Sequence, residues 1–201
     1  MAVFPFDNQA VTGRERLDFL RDWLADAVAA RLQESGELRV VERRALLKIL
    51  EEQKLGSSAL ASKEGRLRLG KMAGAQTMLF GGFTAIGDTL RIDARIVDAE
   101  SGLVVKSSSV GGSAGQARRL GDDLAGRLAQ DLGLNLAHRT RETGVTDDRA
   151  LEAAESYYAG LALEKSGHAD EAIERFRRAL ELNHDDEEAR AHLKKLLGAS
   201  Q

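Results

Sequence analysis

The chain of 201 residues has no cysteine and a single proline. The first absence excludes disulfides, thiolate zinc sites, iron–sulfur clusters and a thiol nucleophile. It leaves the compartment open, because a cysteine-free chain suits either redox state. Aromatic residues make up 4%, with Trp23 the one tryptophan, too few for a platform that stacks single-stranded nucleic acid. Neither sign of charge prevails: 29 Lys and Arg face 32 Asp and Glu, for a net charge of -3. No basic field therefore draws a phosphate backbone. No apolar run approaches the roughly 18–20 residues of a spanning helix, and no charged stretch followed by an apolar one reads as a leader. The opening Met1-Ala2-Val3-Phe4-Pro5-Phe6 enters a strand-like run almost directly. That start suits a chain trimmed of a leader as well as a cytoplasmic protein.

What is present is an ordinary globular composition, 43% hydrophobic and 30% charged. At roughly 150 residues per domain this allows one domain, or one plus a small addition. Val3 to Phe6 predicts a short buried strand closed by Asp7-Asn8. Thr12-Gly13-Arg14-Glu15 has the T-x-x-E form of a capping box, ahead of Leu17, Leu20, Leu24, Val28 and Leu32 at helical spacing. Glu37 to Val41 predicts a second strand, Glu42 to Lys54 a second helix and Glu64 to Ala73 a third. Three strands follow, Thr77 to Ile86, Leu90 to Ile96 and Leu103 to Val110, the first two joined by a Gly87-Asp88 type II′ turn. Ser113 is placed to cap a fourth helix carrying Ala117, Leu120, Leu124 and Leu128. The expected fold is therefore α/β (α+β), a mixed five-stranded sheet flanked by helices in the order βαβα(α)βββα, over residues 1–137. A polar linker at 138–148 and a helical module at 149–201 complete the chain, with Asp185 and Glu188 as the capping box of its last helix.

The chemistry-bearing candidates read as structural. Gly111-Gly112-Ser113-Ala114-Gly115 lies between strand and helix, but lacks the Lys-Ser/Thr of a phosphate loop and ends a meander. His138, His168, His184 and His192 have no H-x-x-x-H or H-E-x-x-H spacing and read as solvated surface histidines, with no metal site. No G-x-S-x-G elbow is present, and no nucleophile has an evident base. Asp93 and Asp98 fall on opposite strand faces, Asp93 on a wet face beside Arg91 and Arg95. Glu42 and Arg43 read as structural at a strand-to-helix junction, and Trp23 as a helix–sheet contact. Arg175, Arg177, Arg178, Arg190, Lys194 and Lys195 interleave with glutamates as solvated helix faces. The expectation is no enzyme and no cofactor.

The tail resembles a tetratricopeptide repeat, a helix pair of about 34 residues. Gly160 fits the small position of its first helix, Gly167 the turn, Ala172 and Ala179 the close contacts and Phe176 the aromatic. Ser156, Leu163 and His184 depart from the usual tryptophan, tyrosine and proline. The resemblance places Tyr157, Leu161, Glu164 and Lys165 on the groove-lining positions, which makes them the candidate protein-interaction residues.

Residues 2–135 resemble the CsgG-like curli-secretion lipoprotein family. The carriers are the opening V-F-P-F-D-N, L-R-V-V-E-R-R-A-L-L-K-I-L-E-E-Q at 38–53 and L-G-K-M-A-G-A-Q at 69–76, then F-G-G-F at 80–83 and I-D-A-R-I-V-D-A-E-S-G at 92–102. The resemblance implies a three-layer α/β domain of the bacterial envelope, periplasmic or associated with the outer membrane. It also implies a scaffold or adaptor related to curli assembly and transport, with protein partners and a possible homo-oligomer. Pore-forming relatives insert membrane hairpins where this chain has only Gly87-Asp88 and Gly111-Gly112-Ser113. Neither junction holds two spanning strands of about 9–11 residues each. The family's lipidated cysteine is absent, and the Asp7 to Gly13 loop is short, without the constriction aromatic. No membrane insertion is expected. The alternative is a nucleic-acid-binding module on an anticodon-binding-like domain, against which the charge balance and few aromatics argue.

A single repeat leaves apolar stripes uncovered, because roughly three are needed for an autonomous stack. The stripes of Tyr157, Leu161, Ile173, Phe176 and Leu193 must therefore meet the α/β part, a second copy or a partner, and sharing between copies is favoured. Residues 149–201 alone are expected to show partial helicity that rises with concentration. Circular dichroism across a dilution series checks this, and full helicity with a cooperative melt as a monomer contradicts it.

Overall fold

The computed structural model describes residues 1–41, 43–52, 62–136 and 147–199. In chain order the elements are β1 (Ala2–Val3), β2 (Asp7–Asn8), α1 (Leu20–Gln33), α2 (Arg43–Glu52), α3 (Lys63–Met72), β3 (Thr77–Ile86), β4 (Thr89–Asp98) and β5 (Val104–Ser113). A 3₁₀ turn at Ala114–Gln116 leads into α4 (Ala117–Asp131), and α5 (Asp147–Lys165), α6 (Ala169–Leu182) and α7 (Glu187–Ala199) follow. The five-stranded sheet runs β1-β3-β4-β5, with β2 beside β3. β1 and β2 pair with β3 in parallel, while β3, β4 and β5 form the antiparallel meander. This is the mixed α/β sheet with flanking helices that the sequence predicts.

Two strands differ from expectation. The opening strand is split into two short ones around Pro5, which has no N–H to offer a ladder. After it the Phe6 N–H turns away to the Arg21 carbonyl of α1 at 2.9 Å. The expected strand at Glu37 to Val41 reduces to one parallel bridge between Ala2 and Val41. Glu42, the side chain of Arg43, His138 and residues 138–146 of the expected linker lie outside the described residues.

Each face of the sheet holds a core. The alternation of β4 turns Leu90, Ile92, Ala94 and Ile96 inward, onto Leu24 and Val28 of α1 and Leu124 and Leu128 of α4. Trp23 packs partly buried on the same cluster, as the sequence predicts. On the opposite face Phe4 stacks on Phe80 at 5.3 Å, and Leu46 of α2 and Leu69 of α3 cover them with Met78 and Val97. Toward the hairpin end that second face is wet: Arg91 and Asp93 pair at 2.9 Å, both exposed.

Capping follows the sequence in one of three places. Ser113 and Gln116 form a reciprocal capping box at the 3₁₀ turn into α4. Thr12 instead spends its hydroxyl on the Gly87 N–H at 2.9 Å, tying the loop to the β3–β4 hairpin. α1 starts only at Leu20, with no side-chain cap, because turns over residues 14–19 carry the chain from the sheet edge back to the helix. At α7 the cap is Asp186, not Asp185: its carboxylate accepts the Ala189 N–H at 2.8 Å. The shift of one residue leaves Glu188 outside the box.

Close approach explains Gly81, where a Cβ would lie 2.2 Å from the ring of buried Phe6. Gly81→Ala is expected to lower stability by about 1–3 kcal/mol. Gly126 of α4 is exposed, with nothing within 4 Å of its Cβ position. Gly126→Ala is expected to raise stability by about 0.5–1 kcal/mol, the helix preference for alanine. Urea unfolding of the two variants checks the opposite signs.

Candidate functional site: the cleft between sheet and tail

Small residues let the tail helices close on one another. α5 and α6 form a hairpin whose turn places Gly167 at φ 83°. A Cβ on Gly160 would lie 2.8 Å from the ring of Phe176, so the crossing there admits only glycine without a shift. Ala172, Phe176 and Ala179 of α6 are fully buried, and Ala189 of α7 closes the small core around them with Tyr157.

This module rests on the α/β part of its own chain. Leu151 packs against the main core, and the Tyr158 hydroxyl donates to the Asp26 carboxylate of α1 at 2.7 Å. The chain itself thus supplies some of the outside cover that the tail stripes require. Adjacent tyrosines divide the work: Tyr157, 8% exposed, turns into the tail core and donates to Glu188 at 3.1 Å.

Between the two parts lies an open cleft of about 940 Å³. One wall is α1 with Ala25, Asp26, Ala29 and Ala30, beside Val40 and Val41. The other wall is Tyr157 and Leu161 of α5 with Glu187, Glu188, Ala191, His192 and Lys195 of α7. Behind it Glu164 joins two helices, accepting from His192 Nδ1 at 2.6 Å and from Lys195 Nζ at 2.8 Å. His192 also stacks on Phe176 at 5.3 Å, so it is a half-buried structural histidine and not the solvated one expected from its spacing. The correction has a local cause, since the Glu164 carboxylate and the Phe176 ring make the half-buried position favourable.

The electrostatics are those of a joint. Burial raises the Tyr157 hydroxyl pKa, and the neighbouring carboxylates of Glu188, Asp186 and Asp26 raise it further, keeping the hydroxyl a donor. At Glu164 burial pushes the carboxyl up, but hydrogen bonds from Lys195 and His192 outweigh it and hold the pKa below the ordinary value. Among the described residues no group of His, Asp and Glu is arranged to hold a metal ion. No described helix is long and apolar enough to cross a membrane.

Of the four candidates from the sequence, the structure brings Tyr157 and Leu161 to the cleft wall. Glu164 sits behind that wall in its ion network, and Lys165 is exposed at the end of α5, away from the cleft. The sequence reading missed Asp26, Glu188, His192 and Lys195. The one advance signal was the small-residue spacing of Ala25, Ala29 and Ala30 on α1, which leaves room for a neighbour.

Two substitutions probe the joint. Tyr158→Phe removes one hydrogen bond to a carboxylate and is expected to cost about 1.5 kcal/mol. Faster amide exchange in α5–α7 than in β3–β4 is the accompanying readout. A carboxyl with a lowered folded pKa adds stability that is fully present above its unfolded pKa and lost as pH falls through the folded one. For Glu164 the loss lies below its ordinary pKa of 4.5. Glu164→Gln is expected to be less stable than the wild type at neutral pH, with the gap closing in acid, as read from urea midpoints across pH.

Residues 1–91 match the family model described as the curli production assembly/transport component CsgG. No curated protein matches the chain. Among solved structures, the LpoB C-terminal domain from Salmonella enterica is similar at 13% identity, over 56% of this chain and 80% of its own, with a TM-score of 0.49. Lipoprotein GNA1162 from Neisseria meningitidis is 19% identical over 65% and 96%, with a TM-score of 0.47. The PelC dodecamer from Paraburkholderia phytofirmans is 14% identical over 67% and 86%, with a TM-score of 0.40. The family match runs from β1 to Arg91 near the start of β4, on a mixed sheet with helices against both faces: the amino-terminal α/β part of this chain is similar to the CsgG family.

Proposed function

We propose that the protein is a non-enzymatic assembly or adaptor protein of the bacterial cell envelope, on its periplasmic side or at the outer membrane. In this reading residues 1–137 are the scaffold, 138–148 the linker and 149–201 a tetratricopeptide-like module that presents a surface to a protein partner. The observation that carries it is the cleft: a wide, partly apolar surface where the tail helices face the CsgG-like domain, lined by Tyr157 and Leu161. The family description as an assembly/transport component supports the setting. Glu164 holds α7 against α5 to keep that surface in shape, while Lys165 is exposed at the end of α5, away from the cleft. The chain acts without inserting in the membrane: Ile86 pairs with Thr89 across the hairpin, and β5 passes directly into the 3₁₀ turn at Ala114. Self-association of the tail belongs to the same reading, as one source of cover for its remaining exposed apolar residues such as Leu197.

Site-specific photo-cross-linking in cells tests the proposal. A photoreactive residue at Leu161 is expected to give a defined adduct with an envelope protein, and one at Arg119 of α4 none. Equal adducts from both positions, or none from Leu161, overturn it.

A further inference from the structure

We infer that the cleft receives an extended segment of a partner polypeptide carrying lysine or arginine, which pairs as an added strand with the backbone edge at Leu38–Val40. This rests on the proposal that the cleft docks a partner, and names the class of segment.

The two outer edges of the sheet are treated differently. At β5 the edge is guarded: the register shifts opposite Ile96 and Val97, Lys106 stands on the strand, and Arg127 of α4 donates to the Ser109 carbonyl at 2.8 Å. Bulges, edge lysines and covering side chains block the addition of another strand. At the other edge, beyond β1, Val41 donates to the Met1 carbonyl at 2.8 Å, and the Met1 amine donates to the Arg39 carbonyl at 2.7 Å. Backbone groups alternate in direction along an extended segment. The N–H and C=O of Leu38 and Val40 therefore point away from β1, and among the described residues they have no partner. Side chains do not block this edge: Leu38 and Val40 pack partly buried on the main core.

That unpaired edge opens into the cleft, whose wall includes Val40 and Val41. A strand laid beside it is flanked by α1 and by α5 and α7. Extended-peptide recognition at a sheet edge takes affinity from main-chain hydrogen bonds and specificity from pockets for alternate side chains. Here the α1 wall is alanine at positions 25, 29 and 30, which leaves space for long side chains. Among the described residues of the α7 wall, Glu187 pairs with Arg190 and the Lys195 ammonium is taken by Glu164, while the Glu188 carboxylate accepts from the Tyr157 hydroxyl and has no cation beside it. A lysine or arginine stem lies over the alanines and carries its charge to Glu188. An acidic segment meets like charge there.

The test uses the full chain and three synthetic probes: acetyl-(Val-Lys)₄-amide, the same peptide N-methylated at alternate amides, and acetyl-(Val-Glu)₄-amide. The first is expected to bind, to slow amide exchange at Leu38 and Val40, and to bind at least about tenfold more tightly than either of the others. Ala30→Trp and Ala191→Trp, both at exposed positions that narrow the cleft, are expected to weaken it by about tenfold as well. N-methylated peptide binding as tightly as the parent, or unchanged exchange at Leu38 and Val40, overturns strand addition. Equal or tighter binding of the Val-Glu peptide overturns the charge class. No binding of the Val-Lys peptide up to about 1 mM, or binding unaffected by both tryptophans, overturns the inference as a whole. In each case adducts from Leu161 decide separately whether the cleft docks a partner at all.

Discussion

β3 is the strand on which the amino-terminal part is registered. It pairs in parallel with both opening strands and antiparallel with β4, and it contributes to the core on each face. Leu79, Phe83 and Ala85 enter one core, while Met78 and Phe80 enter the other. A strand buried on both faces tolerates no slip, because a shift of one residue exchanges every side chain between the two cores. Gly81 marks the tightest point of that arrangement, where the Phe6 ring occupies the space of a side chain. The opening strands are short because Pro5 breaks them, yet they keep their place because β3 offers both register positions, Met78–Leu79 and Gly82–Phe83.

From this fixed sheet the rest follows by attachment. α1 and α4 cover one face, and α1 then serves a second time, as the wall on which the tail rests. One turn of α5 makes this possible. Successive residues on a helix do not face the same neighbour, so the Tyr157-Tyr158 pair reaches in two directions, to Glu188 within the tail and to Asp26 of α1. The same short stretch thus organises the tail core and joins it to the scaffold. Glu164 adds the other lock, holding α7 to α5 through His192 and Lys195.

The cleft is a product of these contacts, and its character differs from that of either core. Its α1 wall is alanine-rich and its α7 wall is charged, with a tyrosine whose hydroxyl stays protonated between them. Such a surface offers shape, a few directed hydrogen bonds and a sign of charge, the means that the proposed docking of a polypeptide would use.

Local signals in the sequence were enough for much of this. The two-residue alternation of β4 separated its core face from the wet face of Arg91 and Asp93, and Ser113 marked a cap on the approach to α4. Gly160, Gly167, Ala172, Phe176 and Ala179 outlined the tail hairpin, because a close helix crossing needs small residues at set spacings. Where two local partners competed, the tertiary structure decided: Thr12 went to Gly87 across the sheet instead of to its own helix, and Asp186 took the cap from Asp185. His192 became structural only because Glu164 and Phe176 arrive beside it from other helices. The cleft was legible only in its Tyr157 and Leu161. Asp26 and Tyr158 are 132 residues apart, and no periodicity or spacing reports a contact at that distance, which exists only once sheet and tail have each folded and met.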